Sequence, residues 1–347
     1  MRNTILLDIT YKYILFDGPD KKISRYQQYF AVEKILKRIN KLGENGQRQG
    51  GVIWHTQGSG KSLTMVMLAK AIALCEDIED YKIILVTDRI DLDDQLKKNF
   101  VQTGYEVDQA TTGKDLSYLL NSHKSRIIST VINKFEAAVG KGKTKIKDPN
   151  VFVLVDEGHR TQYGTFHARM RQALPYACYI GFTGTPVMKK NKDTVEKFGG
   201  LIHTYTIDEA VEDKAVVELL YEGRHVHQVV NKAEMDKWFE RETRQISEQQ
   251  AVYLKQRFAA TDPLNKAAQK VREIAWDIST HFRDNWQGTG FKGQLVAQDK
   301  EHALMFRDYL EEIGVINAEV LISGPDEREG ETDIYSENKI GNAHTPF

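Results

Sequence analysis

GVIWHTQGSGKS, residues 51–62, is the segment from which the architecture of this chain can be inferred. A short apolar run of β type, Val52–His55, leads into a glycine-rich loop, and a helical apolar pattern follows over Leu63–Leu74. A strand, a glycine loop and a helix in this order form the usual setting in which backbone amides cradle a phosphate group. His55 departs from that motif, which has a glycine at this position. The segment predicts a phosphate-binding loop at the carboxyl end of a buried strand.

The loop carries the groups that bind a nucleoside triphosphate. Two glycines let the backbone amides turn toward a phosphate, and Lys61 can reach the β and γ oxygens. The Ser62 hydroxyl can hold Mg²⁺. ATP and Mg²⁺ are therefore the expected cofactors, and a chance match in an ordinary surface loop is the alternative. The predicted nucleotide-binding residues are Gln57, Gly58, Ser59, Gly60, Lys61 and Ser62.

Four further apolar runs alternate with helical patterns. Runs that are apolar throughout and separated by helices are typical of a parallel sheet with both faces covered. The predicted fold is therefore α/β. The runs are Ile83–Thr87, Ile127–Val131, Val151–Val155 and Ala177–Phe182.

Acidic residues follow the third of these runs, where Asp156 and Glu157 end a predicted buried strand. A carboxylate at such a strand end, beside a phosphate loop, can hold the Mg²⁺ that bridges two phosphates. Asp156 is predicted for that role together with Ser62. Glu157 is predicted to accept a proton from an attacking water. The alternative is an acidic strand end that merely continues into a loop.

Composition excludes several other classes of protein. The 347 residues suggest two or three domains, and a hydrophobic fraction of 41% is ordinary for a globular protein. Lys and Arg number 48 and Asp and Glu 49, so the net charge of -1 excludes a strongly basic coat but allows a local basic track. Two cysteines cannot build a disulfide framework, and no apolar run approaches the length of a membrane span. A cytoplasmic protein without a membrane partner is expected.

Several short motifs together resemble those of superfamily 2 helicases and translocases. DEGH, residues 156–159, is similar to the DEAD/DEAH box, and FTGTP, residues 182–186, to motif III. Gln28 is similar to the Q motif, which implies contact with the adenine edge, and Arg25 lies near it as a base-stacking residue or as a solvated helix start. The resemblance implies that His159, grouped with the catalytic residues Lys61, Asp156 and Glu157, couples the ATP site to motif III through Thr183, Gly184 and Thr185. A metal ligand or a plain structural role is the alternative for His159.

Two more motifs imply contact with a nucleic-acid backbone. They resemble motifs Ia and Ib, and their residues are Thr87, Asp88, Arg89, Ser129 and Thr130.

The ordered set is similar to the motor (R) subunit of type I restriction enzymes. The segments that carry this resemblance are RYQQYFAVEKI, VIWHTQGSGKS, LVTDRIDLDDQ, VDEGHRTQYG, GFTGTPV and FGGLIHTYTIDEAV. The resemblance implies a RecA-like fold and an ATPase that pulls double-stranded DNA past a complex with modification (methyltransferase) and specificity subunits. It also implies a nuclease domain and motifs V and VI, for which this chain has no matching residues. We therefore expect a fragment that binds nucleotide but hydrolyses it weakly by itself.

The same patterns predict the domain organisation. Residues 1–23 are a lead-in, 24–205 a complete RecA-like ATPase domain, and 206–347 a partial second RecA-like domain with a helical segment over 232–286. Within the last part, Gly293–Ala297 is predicted to be a strand followed by an amphipathic helix.

Two other functions use the same motifs. One is a strand-separating helicase acting on DNA or RNA. The other is a nucleotide-gated binding module that docks to a methyltransferase partner.

Overall fold

A seven-stranded parallel sheet organises the first part of the chain in the computed structural model. The structure describes residues 2–139, 146–156, 163–185, 195–196, 198–224 and 268–322. The chain divides into two compact units, 1–220 and 221–347. Each unit is described by itself.

Between residues 26 and 183 the helices and strands of the first unit alternate along the chain, as the apolar runs predict. In chain order they are α1 (Arg2–Lys12), β1 (Ile14–Asp17), β2 (Asp20–Ile23), α2 (Tyr26–Ile39), β3 (Gly51–His55), α3 (Lys61–Ala73), β4 (Lys82–Thr87), α4 (Ile90–Gln102), β5 (Asp108–Gln109), α5 (Gly113–Asn121), β6 (Ile127–Val131), α6 (Asn133–Val139), β7 (Val151–Asp156), α7 (Tyr163–Ala173), β8 (Cys178–Thr183), β9 (Leu201–Tyr205) and α8 (Ile207–Glu212).

The strands pair in the order β5-β6-β4-β7-β8-β3-β9, and every pair in this sheet is parallel. Parallel pairing brings the carboxyl ends of all the strands to one edge. β3 lies between β8 and β9, so the ends of these two strands flank the loop that follows β3. The predicted α/β fold with a parallel sheet is confirmed.

Both faces of the sheet are covered, which explains why its strands read as unbroken apolar runs. In β7, Phe152 and Leu154 face one core, which is shared with α2, α3 and α4. Val151, Val153 and Val155 face the other core, which is shared with α5, α6 and α7. Because successive side chains of a strand point to opposite faces, a strand buried on both sides has no polar positions to reveal its period.

Several elements of the first unit lie outside the predicted pattern. The expected lead-in folds into α1 and a β1–β2 hairpin, and it contributes Tyr13 and Leu15 to the core. β9 reads LIHTY and is the edge strand of the sheet, so polar residues interrupt its apolar pattern. The boundary predicted between residues 205 and 206 lies inside the first unit, because α8 buries Ala210 there.

The second unit is described mainly as a pair of packed helices, α9 (Ala268–Asn285) and α10 (Lys300–Ile313). Their buried contact residues are Val271, Ala275, Phe306 and Leu310. The part of the predicted helical segment over 268–285 is confirmed, whereas residues 232–267 lie outside the described ranges.

The predicted strand Gly293–Ala297 is wrong, because no strand is assigned over these residues. Val296 is 81% exposed, and the described part of this unit offers no neighbouring strand. A strand exists only through hydrogen bonds to another strand, so an apolar run alone does not make one.

The entry into β3 depends on a residue without a side chain. Gly50 lies directly against the backbone of Tyr179 near the start of β8, and a Cβ at Gly50 would stand 1.9 Å from the Tyr179 carbonyl oxygen. Backbone atoms of a central strand cannot rotate away as a side chain can. Only glycine therefore allows β3 and β8 to approach here.

Gly50→Ala is expected to destabilise the protein by about 3 kcal/mol or more, at the upper end of the cost of overpacking. Urea denaturation measures the change in the free energy of unfolding. Gly181→Ala in β8 is the matched control, since its added Cβ would meet only the Phe198 ring at 3.4 Å and Val52 at 3.6 Å, within ordinary contact. Equal unfolding midpoints for Gly50→Ala and the wild type would contradict the close approach.

Candidate active site

The predicted phosphate loop lies between β3 and α3, where a buried strand meets a helix N-terminus. Gly58 has a φ of 77° and Gly60, the residue that caps α3, a φ of 87°, both in the left-handed region that favours glycine. The first amides of a helix have no acceptor within it, so they can donate to an anion. Lys61 and Ser62 begin the helix and are half-buried. The loop therefore has the backbone geometry that a phosphate requires.

The loop is also held by its own polar groups. The Ser59 hydroxyl donates to the Thr56 carbonyl at 2.6 Å. The Lys61 ammonium donates to the His55 carbonyl at 3.4 Å, so it rests against the start of the loop. Ser59 thus shapes the loop from inside, while Lys61 lies on a long and weak bond that a phosphate can replace.

Gln28 contacts the loop from α2. Its side chain is 4% exposed, its oxygen accepts from the Arg25 amide at 2.9 Å, and its nitrogen donates to the Gly60 carbonyl at 3.1 Å. Arg25 itself is exposed. The structure therefore brings Gln28 to the phosphate loop, whereas contact of Gln28 or Arg25 with a base stays a prediction.

Asp156 ends β7 at the same edge of the sheet and is half-buried. β8 separates β7 from β3, with Phe182 opposite Asp156 and Thr183 opposite Trp54. Neighbouring strands are about 4.8 Å apart, which places the ends of β7 and β3 about 10 Å from each other.

The side-chain oxygens of Ser62 and Asp156 suit Mg²⁺. The residues described contain no group of three or more His, Cys, Asp or Glu side chains able to hold a metal. Magnesium in phosphate sites needs only one or two protein oxygens beside substrate phosphates. Ser62 and Asp156 fit that requirement. Glu157 and His159, the other predicted catalytic residues, lie outside the described residues.

The segment after β8 contacts the loop directly. Thr183 is buried, and its hydroxyl oxygen accepts from the Thr185 amide at 3.2 Å. A Cβ at Gly184 would stand 2.9 Å from the Lys61 ammonium and 3.4 Å from the Gln57 amide nitrogen. The structure thus brings the residues predicted for coupling against the lysine predicted to bind phosphate.

The predicted nucleic-acid residues lie at the ends of β4 and β6, and most of them are buried. Arg89 is exposed and Asp88 half-buried. The remaining three side chains are fully buried, so they shape this edge of the sheet rather than line its surface. They are Thr87, Ser129 and Thr130.

Asp93 in α4 is a residue at this edge that the sequence argument missed. Its side chain is fully buried and accepts from the Gln109 side-chain amide at 2.8 Å, and burial raises the pKa of its carboxyl despite this hydrogen bond. Asp93, Leu96 and Phe100 are the buried positions of α4, spaced three and four residues apart. An acidic residue on an otherwise apolar helical stripe was the signal that could have revealed it.

A pair of histidines is the second feature the sequence argument missed. His55 Nε2 and His203 Nδ1 are 2.9 Å apart, and the His55 ring also contacts Tyr205 edge-on with centroids 5.8 Å apart. His55 is fully buried, and burial, with smaller contributions from His203 and Lys61, lowers its pKa to about 3. Burial also lowers the pKa of His203. Both imidazoles are therefore neutral at neutral pH.

Tyr205 extends this contact to α2. Its hydroxyl donates to Asp213 at 2.8 Å, and the Tyr26 hydroxyl donates to the same carboxylate oxygen. The Tyr205 carbonyl accepts from the Thr56 amide of the loop at 2.9 Å. β9 is thus joined to both the phosphate loop and the start of α2.

Comparison with known proteins identifies the family of the chain. The family model of the SWI2/SNF2 ATPases matches residues 27–252, which is more than half of the chain. The chain belongs to the SWI2/SNF2 ATPase family.

More specific relatives are subunits of restriction enzymes. The type I restriction enzyme HindI endonuclease subunit of Haemophilus influenzae is 32% identical over 324 residues, covering 85% of this chain and 30% of that protein. The SauCOLORF180P endonuclease subunit of Staphylococcus aureus strain COL is 31% identical over 229 residues, covering 62% of this chain and 24% of that protein. The predicted resemblance to type I restriction R subunits is confirmed, and the chain spans less than a third of the length of these relatives.

A solved structure supports the fold. The ATP-dependent Type ISP restriction-modification enzyme LlaBIII bound to DNA has a TM-score of 0.50 and 16% identity, covering 84% of this chain and 21% of that one. The predicted RecA-like architecture is confirmed. Among the described residues, no helix is long and apolar enough to cross a membrane.

His55 makes stability depend on pH. An unfolded chain protonates this imidazole as the pH falls through about 6.5, whereas the folded protein does so only near 3, so stability is lost as the pH falls. Between about pH 7.5 and about pH 5 this loss reaches up to about 2 kcal/mol, at 1.36 kcal/mol per pKa unit. Urea denaturation at each pH should show a smaller loss for His55→Gln than for the wild type. His123→Asn, at an exposed position, is the control and should keep the wild-type slope.

Gly184→Ala is expected to displace the Lys61 ammonium without unfolding the protein, because the atom closest to the added Cβ is the far end of a flexible side chain. The affinity for ATP should fall about tenfold, the effect of losing roughly 1.4 kcal/mol of a charge-assisted contact. Calorimetric titration with ATP measures this change. Unaltered affinity would show that Gly184 and Lys61 are not in contact when ATP binds.

Proposed function

We propose that this chain is the ATP-hydrolysing motor region of a double-stranded DNA translocase that works in a type I restriction complex. The observation that carries the proposal is the contact of Gly184, at the end of β8, with Lys61 of the phosphate loop. It joins a phosphate-binding group to the segment expected to transmit hydrolysis to DNA. Membership of the SWI2/SNF2 ATPase family and the similarity to restriction subunits support the same reading.

The residues of the site divide the chemistry among them. The loop amides and Lys61 bind and orient the triphosphate, and Ser62 and Asp156 hold Mg²⁺, which neutralises phosphate charge when bound. Glu157 accepts a proton from the water that attacks the γ phosphorus, while the bond to the β–γ bridging oxygen breaks and ADP leaves. Phosphoryl transfer needs little covalent chemistry from the protein. The residues of this site therefore act by positioning the triphosphate and the attacking water.

Binding of DNA is proposed at the edge formed by the ends of β4 and β6. Arg89 is exposed there, and the hydroxyl of the buried Thr87 donates to the Arg89 carbonyl at 3.0 Å. Contacts to phosphates carry affinity without sequence specificity, which suits a translocase that must cross any sequence. Recognition of a particular site is assigned to the specificity subunit, and methylation to the modification subunit.

The chain domains keep their expected roles in this proposal. The proposed ATPase domain of residues 24–205 lies within the first compact unit, residues 1–220, and a second domain is proposed to begin after that unit. With motifs V and VI unmatched, the isolated chain is proposed to bind ATP firmly and to hydrolyse it weakly.

The test begins with ATP binding and DNA-stimulated hydrolysis by the 347-residue chain. Lys61→Ala should weaken ATP binding at least about tenfold, since it removes a charge-assisted bond to phosphate. Glu157→Gln should bind ATP like the wild type and lose hydrolysis. Lys124→Ala, at an exposed position away from the loop, is the matched control.

A triplex assay then separates the functions. A translocase displaces the third strand of a DNA triplex and leaves the duplex paired, whereas a helicase separates the duplex strands. Hydrolysis by Glu157→Gln equal to the wild type would overturn the assigned mechanism. A third outcome would support the nucleotide-gated module instead. In that case the chain binds ATP without hydrolysing it, and a partner protein responds to the bound ATP.

A further inference from the structure

The phosphate loop begins with an imidazole in the place of the usual glycine. His55 lies opposite Tyr205 in the parallel β3–β9 pair, and Ile53 lies opposite His203. Residues 53 and 55 share one face of the strand, as residues 203 and 205 do, so the two histidines meet on the same side. His55 is fully buried between these neighbours. Its side chain therefore ties the start of the loop to the edge strand.

Hydrogen bonding determines where the proton of the pair lies. His55 Nδ1 is buried and, among the described residues, has no hydrogen-bond partner. A buried N–H without an acceptor is rarer in proteins than an acceptor without a donor. The proton is therefore assigned to His55 Nε2, which donates to His203 Nδ1 across 2.9 Å. The pair is one directed hydrogen bond between two neutral rings.

The His55–His203 hydrogen bond holds the backbone at the start of the phosphate loop. The His55 carbonyl accepts a hydrogen bond from the Lys61 ammonium. The next backbone amide, that of Thr56, donates to the Tyr205 carbonyl. With glycine at position 55 this peptide would have far more conformational freedom. An anchored imidazole holds it in one orientation instead.

The other half of the pair is anchored too. His203 lies in β9, which continues to Tyr205, and the Tyr205 hydroxyl contacts Asp213 together with that of Tyr26. A Cβ at Gly58 would stand 3.2 Å from Val216, so the segment after α8 also lies against the loop. β9 and this segment both lie against one side of the phosphate loop.

We propose that the His55–His203 pair is a positioning element of the ATP site, which holds the phosphate loop and Lys61 ready for a triphosphate by tying them to β9. This inference rests on the proposed binding of ATP. Neither histidine touches the substrate. The pair acts through the His55 carbonyl and the loop backbone, and it replaces the freedom of the usual glycine with a fixed geometry.

The test changes His203, which lies outside the phosphate loop. His203→Ala removes the acceptor, whereas His203→Asn keeps an oxygen near the position of Nδ1. Calorimetric titration of the full chain with ATP and with inorganic tripolyphosphate should show affinities about tenfold weaker for His203→Ala, as expected for a loss of about 1.4 kcal/mol. His203→Asn should stay within about threefold of the wild type. The exposed His123→Ala is the control and should bind like the wild type.

Comparing ATP with tripolyphosphate distinguishes an effect on phosphate binding from an effect on binding of the base. Equal losses for ATP and tripolyphosphate support the proposal, because the pair acts on the loop that holds phosphates. Wild-type affinity in a folded His203→Ala overturns it, and so does an equal loss in His203→Ala and His203→Asn. His203→Leu, which fills the space without an acceptor, takes the place of His203→Ala if that variant does not fold. Absence of binding by the wild-type chain overturns the proposed ATP site itself and this inference with it, whereas failure of the pair alone leaves wild-type binding intact.

Discussion

The pairing of β3 with β8 on one side and β9 on the other is the constraint on which the candidate site is built. Because all three strands are parallel, their carboxyl ends meet at one edge, and each delivers a different part of the site. β3 delivers the phosphate loop, β8 delivers Gly184, and β9 delivers His203 and Tyr205. The close approach of Gly50 to the β8 backbone keeps the β3–β8 spacing, so a residue at the opposite end of β3 supports the geometry of the site.

Polar side chains are buried around this edge, and hydrogen bonds compensate for part of the cost of burying Gln28 and the His55–His203 pair. Gln28 uses both ends of its side-chain amide, accepting from the Arg25 backbone and donating to the Gly60 carbonyl, so it links the start of α2 to the loop. One N–H···N hydrogen bond joins the two neutral imidazoles, so neither ring places a positive charge beside Lys61. Buried polar groups cost free energy unless they are hydrogen-bonded, and when they are bonded they specify one arrangement. The proposed binding of a triphosphate would gain from such rigidity, since preorganised donors need no rearrangement when the ligand arrives.

The core of the fold was predictable because it repeats one physical signal. Five buried strands, β3, β4, β6, β7 and β8, were predicted to within about one residue at each end from apolar runs, and the phosphate loop was predicted from its glycines. β9 and the β1–β2 hairpin were not predicted, since strands that are partly exposed keep polar residues and lose the signal. The error at Gly293–Ala297 has the opposite cause, because an apolar run was read as a strand where the described unit provides no partner. A local run of apolar residues indicates that a segment is buried. Whether the segment pairs as a strand depends on residues that are distant in the chain.

The linear order of residues was enough to predict a phosphate-binding loop, since Gly58, Gly60, Lys61 and Ser62 lie close together in the chain and short-range sterics favour glycine in the left-handed backbone of the loop. It was also enough to reveal the family, because the motifs recur in a fixed order. The folded structure alone showed that Gly184 lies against Lys61, that Gln28 bonds to Gly60, and that His55 pairs with a histidine 148 residues away. These contacts join residues that are distant in the chain, and they arise from the order of strands in the sheet, which is fixed by the packing of the whole core and not by any one segment of sequence.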